Sequence, residues 1–185
     1  YKPSSGQLPS SSASKDLMMY PIWTVDEGGG IGVQDVYTGW FVAFQNDPPG
    51  NANQEVFNNG AGNGLNQEHV WPRSQGASTG IAEWDLHNHR ASRVSVNGDR
   101  GSLPFGEVSD ASADDWYRQA IKQSSIPGSN IDEWSERETN AAFEPRESEK
   151  GDIARAMFYF YTMYGPEATN QASTSFFDAQ KDVLF

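Results

Sequence analysis

Asn66-Gln67-Glu68-His69-Val70-Trp71-Pro72 is the stretch whose reading decides this chain. Glu68 offers a hard anionic oxygen, and His69 is a side chain that titrates near neutral pH. Two further segments follow, Asp85-Leu86-His87-Asn88 and Val96-Asn97-Gly98-Asp99-Arg100-Gly101. Asn97 adds a neutral amide oxygen and Arg100 a cation able to grip a phosphate. Hard oxygen donors suit Mg²⁺ or Ca²⁺, and a neutral imidazole beside such a site can deprotonate water. Together these side chains cover most of what one-metal phosphodiester chemistry requires.

Outward from that stretch, Leu65 to Trp71 is a candidate strand ending at Pro72. Trp84 to Asn88 is a second candidate strand. Ser92 to Arg100 reads as a short helix closed by Gly101, with Pro104 beyond. Val33 to Phe44 has strand propensity through Val36, Tyr37, Trp40, Phe41, Val42 and Phe44. Asp16 to Trp23 fits a short helix, residues 26–32 a glycine-rich turn, and residues 45–64 a long Asn/Gly/Pro-rich loop. Ala113 to Ser124 fits a helix with Trp116, Tyr117, Ala120 and Ile121 as its stripe. Asp152 to Tyr164 is the strongest helix, capped by Asp152, with Ile153, Ala156, Met157, Phe160 and Tyr164 on one face and Gly165-Pro166 as its stop. Residues 174–185 fit a last helix.

The runs EHVWP, DLHN and VNGDRG, followed by Lys150-Gly151-Asp152-Ile153-Ala154-Arg155-Ala156, occur in order between about residues 35 and 165. In this the chain resembles the bacterial endonuclease I family, secreted or periplasmic nonspecific nucleases of the ββα-metal (His-Me finger) class. The resemblance implies an α+β single domain over 16–185, with a strand–loop–strand–helix core at about 65–101 and a loose segment at 1–15. It implies a metal-dependent endonuclease that cleaves DNA, with RNA as a second substrate, leaving 5′-phosphate ends. His69 is then the general base and not a ligand, Glu68 and Asn97 hold Mg²⁺ (or Ca²⁺ or Mn²⁺), and Asn88 organises the site. Arg100 is the phosphate clamp, while Arg73, Arg90, Arg93 and Arg155 contact the substrate. His89 departs from the apolar residue such a chain is expected to carry there. Members of the family often run on past the point where this chain stops.

Each assignment has a plainer alternative. His69 also fits a strand histidine satisfied by backbone, Glu68 and Asn97 fit surface residues, and Arg155 fits a helix-to-helix ion pair. Adjacent strand residues point to opposite faces, so Glu68 and His69 serve one site only if the strand end is bent or they reach round its edge. Trp71 fits the core better than a base-stacking role. Asp85, His87 and His89 would share a strand face, which offers a Zn²⁺ hydrolase as one rival reading. A non-catalytic, calcium-binding extracellular module is the other.

The chain has 185 residues, six Trp, seven Tyr and ten Phe, enough for a substantial core. With no cysteine, thiolate sites and a Cys nucleophile are excluded. It has no run long and apolar enough for a membrane span, and its polar, Ser/Pro-rich opening has no signal-peptide h-region. The resemblance implies a secreted (extracellular) or periplasmic protein, and a monomer is expected. The net charge of −12 is unusual for a nucleic-acid binder. Residues 65–108 carry only −1 of it, four Arg against five acids, so the acidity lies mostly elsewhere. Acid-rich, Lys-poor surfaces also suit a protein kept soluble in concentrated salt.

Overall fold

The computed structural model describes residues 11–59 and 64–184. They form a mixed α+β structure with three small antiparallel sheets. The N-terminal part holds α1 (Ser11–Leu17), a kinked turn at Met18–Ile22 in which Tyr20 is extended (φ −149°, ψ 123°), then β1 (Thr24–Asp26), β2 (Ile31–Gln34) and β3 (Phe41–Ala43), ordered β1-β2-β3. The expected loose segment 1–15 therefore differs within its described part, where Ser11–Lys15 belong to α1. The expected single strand over Val33–Phe44 is instead two strands, because Asp35 caps a turn. Its Oδ1 accepts from the Tyr37 amide at 3.0 Å and its Oδ2 from Thr38 Oγ1 at 2.5 Å. The expected loop at 45–64 contains α2 (Ala52–Asn59), whose Ala52 and Val56 are buried.

β4 (Leu65–His69) pairs antiparallel with β5 (His89–Arg93), and α4 (Val94–Arg100) follows directly. Between the strands lie a 3₁₀ turn at Arg73–Gln75, the short α3 (Gly80–Glu83) and a second 3₁₀ turn at Leu86–Asn88. The second strand thus falls later than the Trp84–Asn88 expected. Asp85 accepts the His87 amide at 3.1 Å and turns the chain, a local hydrogen bond that competes with strand pairing. Register places Leu65, Gln67, His69, His89, Ala91 and Arg93 on one face of the ladder. Asn66, Glu68, Arg90 and Ser92 lie on the other.

A four-stranded sheet follows, ordered β7-β6-β8-β9: β6 (Asp115–Arg118), β7 (Ile121–Gln123), β8 (Ser135–Glu138) and β9 (Ala142–Glu144). It corrects the helix expected at Ala113–Ser124. Trp116 and Tyr117 are adjacent and both fully buried, which a strand covered on both faces achieves. Gln119, at φ 51°, makes the tight turn. The long helix α5 (Glu147–Tyr164) buries all five of the expected stripe residues and stops at Gly165. It starts five residues earlier than expected, with Glu147 and Glu149 in its first turn favoured by the helix dipole, so Asp152 is internal and not a cap. The expected C-terminal helix is short, α6 (Thr174–Asp178), followed by a 3₁₀ turn at Lys181–Val183.

Two apolar clusters flank the β4–β5 ladder. One joins Leu65 and Ala91 to Met18, Met19, Val33 and Val56. The larger one packs Trp71, Tyr37, Phe105 and Phe143 against the α5 stripe. Trp71 is a core residue, as expected. It is fully buried, stacks on Phe160 at 5.0 Å and donates its indole N–H to the Gln75 carbonyl at 2.9 Å.

Candidate active site

His69 is the last residue of β4, and its Nε2 lies 3.0 Å from the Glu83 carbonyl oxygen. A carbonyl only accepts, so Nε2 carries the proton. Nδ1 is left as the basic nitrogen, with no hydrogen-bond partner among the described residues. Burial, the largest cause, lowers the imidazole's pKa to about 4, and Arg73, Lys15 and Arg100 push the same way against the Glu83 carbonyl. The ring is therefore neutral near pH 7, with the Nδ1 lone pair open.

A second imidazole supports this arrangement. His89 pairs with His69 across the ladder, with ring centroids 4.4 Å apart, and its Nε2 is also 3.0 Å from the Glu83 carbonyl. The Gln67 amide nitrogen stands 2.8 Å from His89 Nδ1. That places the His89 proton on Nε2, so both rings donate to the two lone pairs of one oxygen. Burial first, and the neighbouring His69 second, lower the His89 pKa to about 3. Glu83 is itself held by a 2.7 Å ion pair to Arg73. Neither the carbonyl nor Gln67 was legible as a site element; the only signal was His89 at a position expected to be apolar.

Glu68 lies on the opposite face and is 2% exposed. Its Oε1 accepts the Tyr37 hydroxyl at 2.6 Å and Arg100 Nη1 at 2.9 Å. Oε2 takes no hydrogen bond among the described residues. Burial raises the Glu68 pKa, and Arg100 and Tyr37 oppose that rise. Asn97, on α4, sits on the same face. Its Nδ2 donates to Asn66 Oδ1 at 2.8 Å and to the Gln67 carbonyl at 3.1 Å. These two acceptors fix the amide orientation and leave Oδ1 free. One carboxylate oxygen and one amide oxygen thus remain uncommitted, a hard donor set that fits Mg²⁺ or Ca²⁺ and not a thiophilic metal. Asn88 is fully buried and braces the loop after β4. Its Oδ1 accepts the Trp71 amide at 2.6 Å, and its Nδ2 donates to the Trp71 carbonyl at 3.1 Å.

The arginines divide by burial. Arg100, expected to clamp phosphate, is fully buried and turned inward. Beyond Glu68 it donates to the carbonyls of His69 (3.1 Å) and Val70 (2.7 Å) and lies 4.3 Å over the Phe105 ring. It is the counter-ion of Glu68 and cannot also face a phosphate in this conformation. Arg93, expected at the substrate, is also buried and donates to the Gln119 carbonyl at 2.7 Å. Arg73 and Arg155 are exposed, Arg73 paired with Glu83 and Arg155 with Asp152. Arg90 is half-buried, with its guanidinium 4.1 Å over the Trp23 ring.

The Zn²⁺ set of Asp85, His87 and His89 is not assembled. Asp85 and His87 lie in and before a 3₁₀ turn, not a strand, so alternation does not apply to them. His87 Nδ1 is 2.8 Å from Asp85 Oδ1, but His89 is committed to Glu83 and Gln67. Among the described residues, the one set of three acidic or imidazole groups close enough to share an ion is Glu107, Glu144 and Glu147. Lys150 already pairs with all three.

The strand–strand–helix unit thus carries two imidazoles on one face of its ladder and hard oxygen donors on the other. The Endonuclease I family model matches residues 23–185, and the chain belongs to that family. It is also 32% identical to an extracellular ribonuclease of Bacillus subtilis over 102 residues, 54% of this chain and 29% of that protein. With the extracellular ribonuclease of Bacillus amyloliquefaciens it shares 33% identity over 110 residues, 58% of this chain and 32% of the relative. The chain thus matches about a third of the length of these relatives. No helix among the described residues is long and apolar enough to cross a membrane.

Proposed function

We propose that this protein is a secreted, divalent-metal-dependent endonuclease that hydrolyses phosphodiester bonds of DNA and RNA without sequence preference. The observation that carries the reading is the His69 imidazole, held as its Nε2–H tautomer by the Glu83 carbonyl that accepts from it, and unpartnered at Nδ1 among the described residues. Membership of the Endonuclease I family supports a nucleic-acid substrate, and the likeness to relatives named as extracellular ribonucleases supports secretion.

In this reading β4, β5 and α4 form a ββα-metal core. Glu68 and Asn97 hold Mg²⁺, with Ca²⁺ or Mn²⁺ as substitutes. When bound, the ion supplies charge neutralisation on the scissile phosphate and on the leaving 3′ oxygen. His69 Nδ1 takes the proton from the attacking water, the bond from phosphorus to the 3′ oxygen breaks, and the phosphate stays on the 5′ oxygen of the downstream fragment. Tyr37 and Arg100 hold Glu68 in one rotamer, while Asn88 fixes the strand end that presents His69. Because Glu68 and His69 lie on opposite faces, the substrate has to cross the end of β4, where His69 is the last paired residue. Positioning through phosphates, without base-edge contacts, accounts for the absence of sequence preference.

The test is cleavage of supercoiled plasmid and of RNA by chelator-treated protein, with Mg²⁺, Ca²⁺, Mn²⁺ and Zn²⁺ restored separately. Mg²⁺ or Mn²⁺ should restore activity. Recovery with Zn²⁺ alone, or undiminished cleavage in chelator, contradicts the reading.

A further inference from the structure

A cavity of about 480 Å³ opens where β5 and the turn before it meet α5. Its walls include Trp23, Leu86, His87, Arg90, Arg155 and Tyr159. That volume lies in the range of small-molecule sites, roughly 300–1,000 Å³. The walls are mostly rings and aliphatic carbon, yet two guanidiniums stand among them. The pocket also adjoins the candidate active site, since Arg90 is the cross-strand partner of Glu68.

The rings are held in place before any ligand arrives. His87 stacks on Tyr159 with centroids 4.5 Å apart and planes at 29°. Asp85 grips both, accepting from His87 Nδ1 at 2.8 Å and from the Tyr159 hydroxyl at 2.9 Å. Tyr164, at 2.7 Å, fixes the same carboxylate from behind. Also in the lining, the Arg90 guanidinium carbon lies 4.1 Å over the centroid of the Trp23 ring. The His87 side chain is 68% exposed and that of Arg155 74%, so one stacking ring and one cation face solvent at the mouth.

We propose that this pocket binds an unpaired nucleobase of a single-stranded nucleic acid, with Arg155 and Arg90 meeting the flanking phosphates. The inference rests on the nuclease reading and extends it to strandedness. A flat aromatic ligand matches pre-set rings, a phosphate matches the guanidiniums, and a nucleotide carries both. Bases stack on aromatic side chains whatever their identity, so the pocket adds affinity without sequence preference. A paired base, stacked within a duplex, cannot enter without first unstacking, which costs free energy. The enzyme should therefore favour single strands, and ring removal should erode that preference.

The experiment measures binding of a fluorescein-labelled oligothymidylate about ten residues long, in chelator so that nothing is cleaved. Cleavage of single-stranded and duplex DNA of one sequence is then compared with Mg²⁺ present. His87→Ala and Tyr159→Ala should each weaken oligonucleotide binding by about five- to a hundredfold and lower the single-strand to duplex cleavage ratio. Tyr159→Phe keeps the ring and loses only the Asp85 bond, so binding should be retained. A purely structural role for Tyr159 would instead show the loss in this variant too. His87 is exposed, so its variant is informative even if Tyr159→Ala fails to fold. Parental binding and an unchanged ratio in His87→Ala overturn the subsite while leaving the nuclease reading intact. A parent protein that cleaves neither strand form overturns both.

Discussion

Replacing Arg100 separates a buried counter-ion from a phosphate clamp. Arg100 is fully buried, pairs with Glu68 at 2.9 Å and satisfies the carbonyls of His69 and Val70. Arg100→Met fills much of the volume but leaves a 2%-exposed carboxylate without its cation. Removing one partner of a buried pair costs about 3–5 kcal/mol. For a chain of this size, 1 kcal/mol moves Tm by about 2–4 °C, so the fall should be roughly 6–20 °C. The loss should also depend on pH. Without Arg100 the folded-state pKa of Glu68, already raised by burial, rises further above its unfolded value. The penalty is therefore small at pH values below the unfolded pKa of about 4.3 and grows as pH rises through the folded-state value. Adding Glu68→Gln removes the stranded charge, so the double variant should recover at least about 1 kcal/mol at pH 7, the lower end of what an unsatisfied buried group costs. The assay is thermal and urea unfolding followed by tryptophan fluorescence at pH 4.5 and pH 7. If Arg100→Met lowers Tm by less than about 2 °C at pH 7, within the ±0.5 kcal/mol usual for surface substitutions, the counter-ion argument is refuted.

Two further outcomes follow from charge. Glu136 is 4% exposed, its Oε2 lacks a partner among the described residues, and burial first and Glu144 second raise its pKa to about 8. A carboxyl whose folded pKa exceeds its unfolded value costs nothing below about pH 4.3, and its cost is complete only above the folded value. Glu136→Gln should therefore leave Tm unchanged near pH 4 and raise it at pH 9 by roughly 2–12 °C, for relief of about 1–3 kcal/mol; equal Tm values at pH 9 would contradict this. The net charge of −12 should repel DNA at low salt, whereas salt weakens Arg–phosphate contacts. Initial cleavage rate against NaCl at fixed Mg²⁺ should pass through a maximum, and a steep fall beginning near 0.1 M would show ordinary phosphate attraction dominating and no salt adaptation.

What the sequence made legible was periodic or chemically distinctive. The α5 stripe of Ile153, Ala156, Met157, Phe160 and Tyr164 is one such element, and β4 is another, although it ends at His69 and not at Trp71 before Pro72. The β6–β7 hairpin was not legible, because Trp116, Tyr117 and Ile121 fit a helical stripe as well as a strand until the strands they pair with are known. α2 was hidden by the Asn and Gly around it, and β5 was misplaced because the Asp85 turn reads locally like the start of a strand. For the site, residue types pointed to donors, but a sequence does not say which guanidiniums face inward. Arg100 and Arg93 are buried by side-chain neighbours, Glu68 and Trp40, that lie 32 and 53 positions away in the chain. The Glu83 carbonyl that orients His69 is main chain, and no side-chain motif marks it.

In the proposed mechanism His69 moves the proton while Glu68 and Asn97 hold the ion. The most direct measurement is Mg²⁺ calorimetry beside plasmid cleavage on chelator-treated His69→Ala and Asn97→Ala. His69→Ala should bind Mg²⁺ like the parent and lose about 10²–10⁴-fold in rate, the range for loss of a general base. Asn97→Ala should lose both Mg²⁺ affinity and cleavage with the fold intact. If Mg²⁺ binding instead collapses in His69→Ala and survives in Asn97→Ala, the assignment of base and ligand is contradicted.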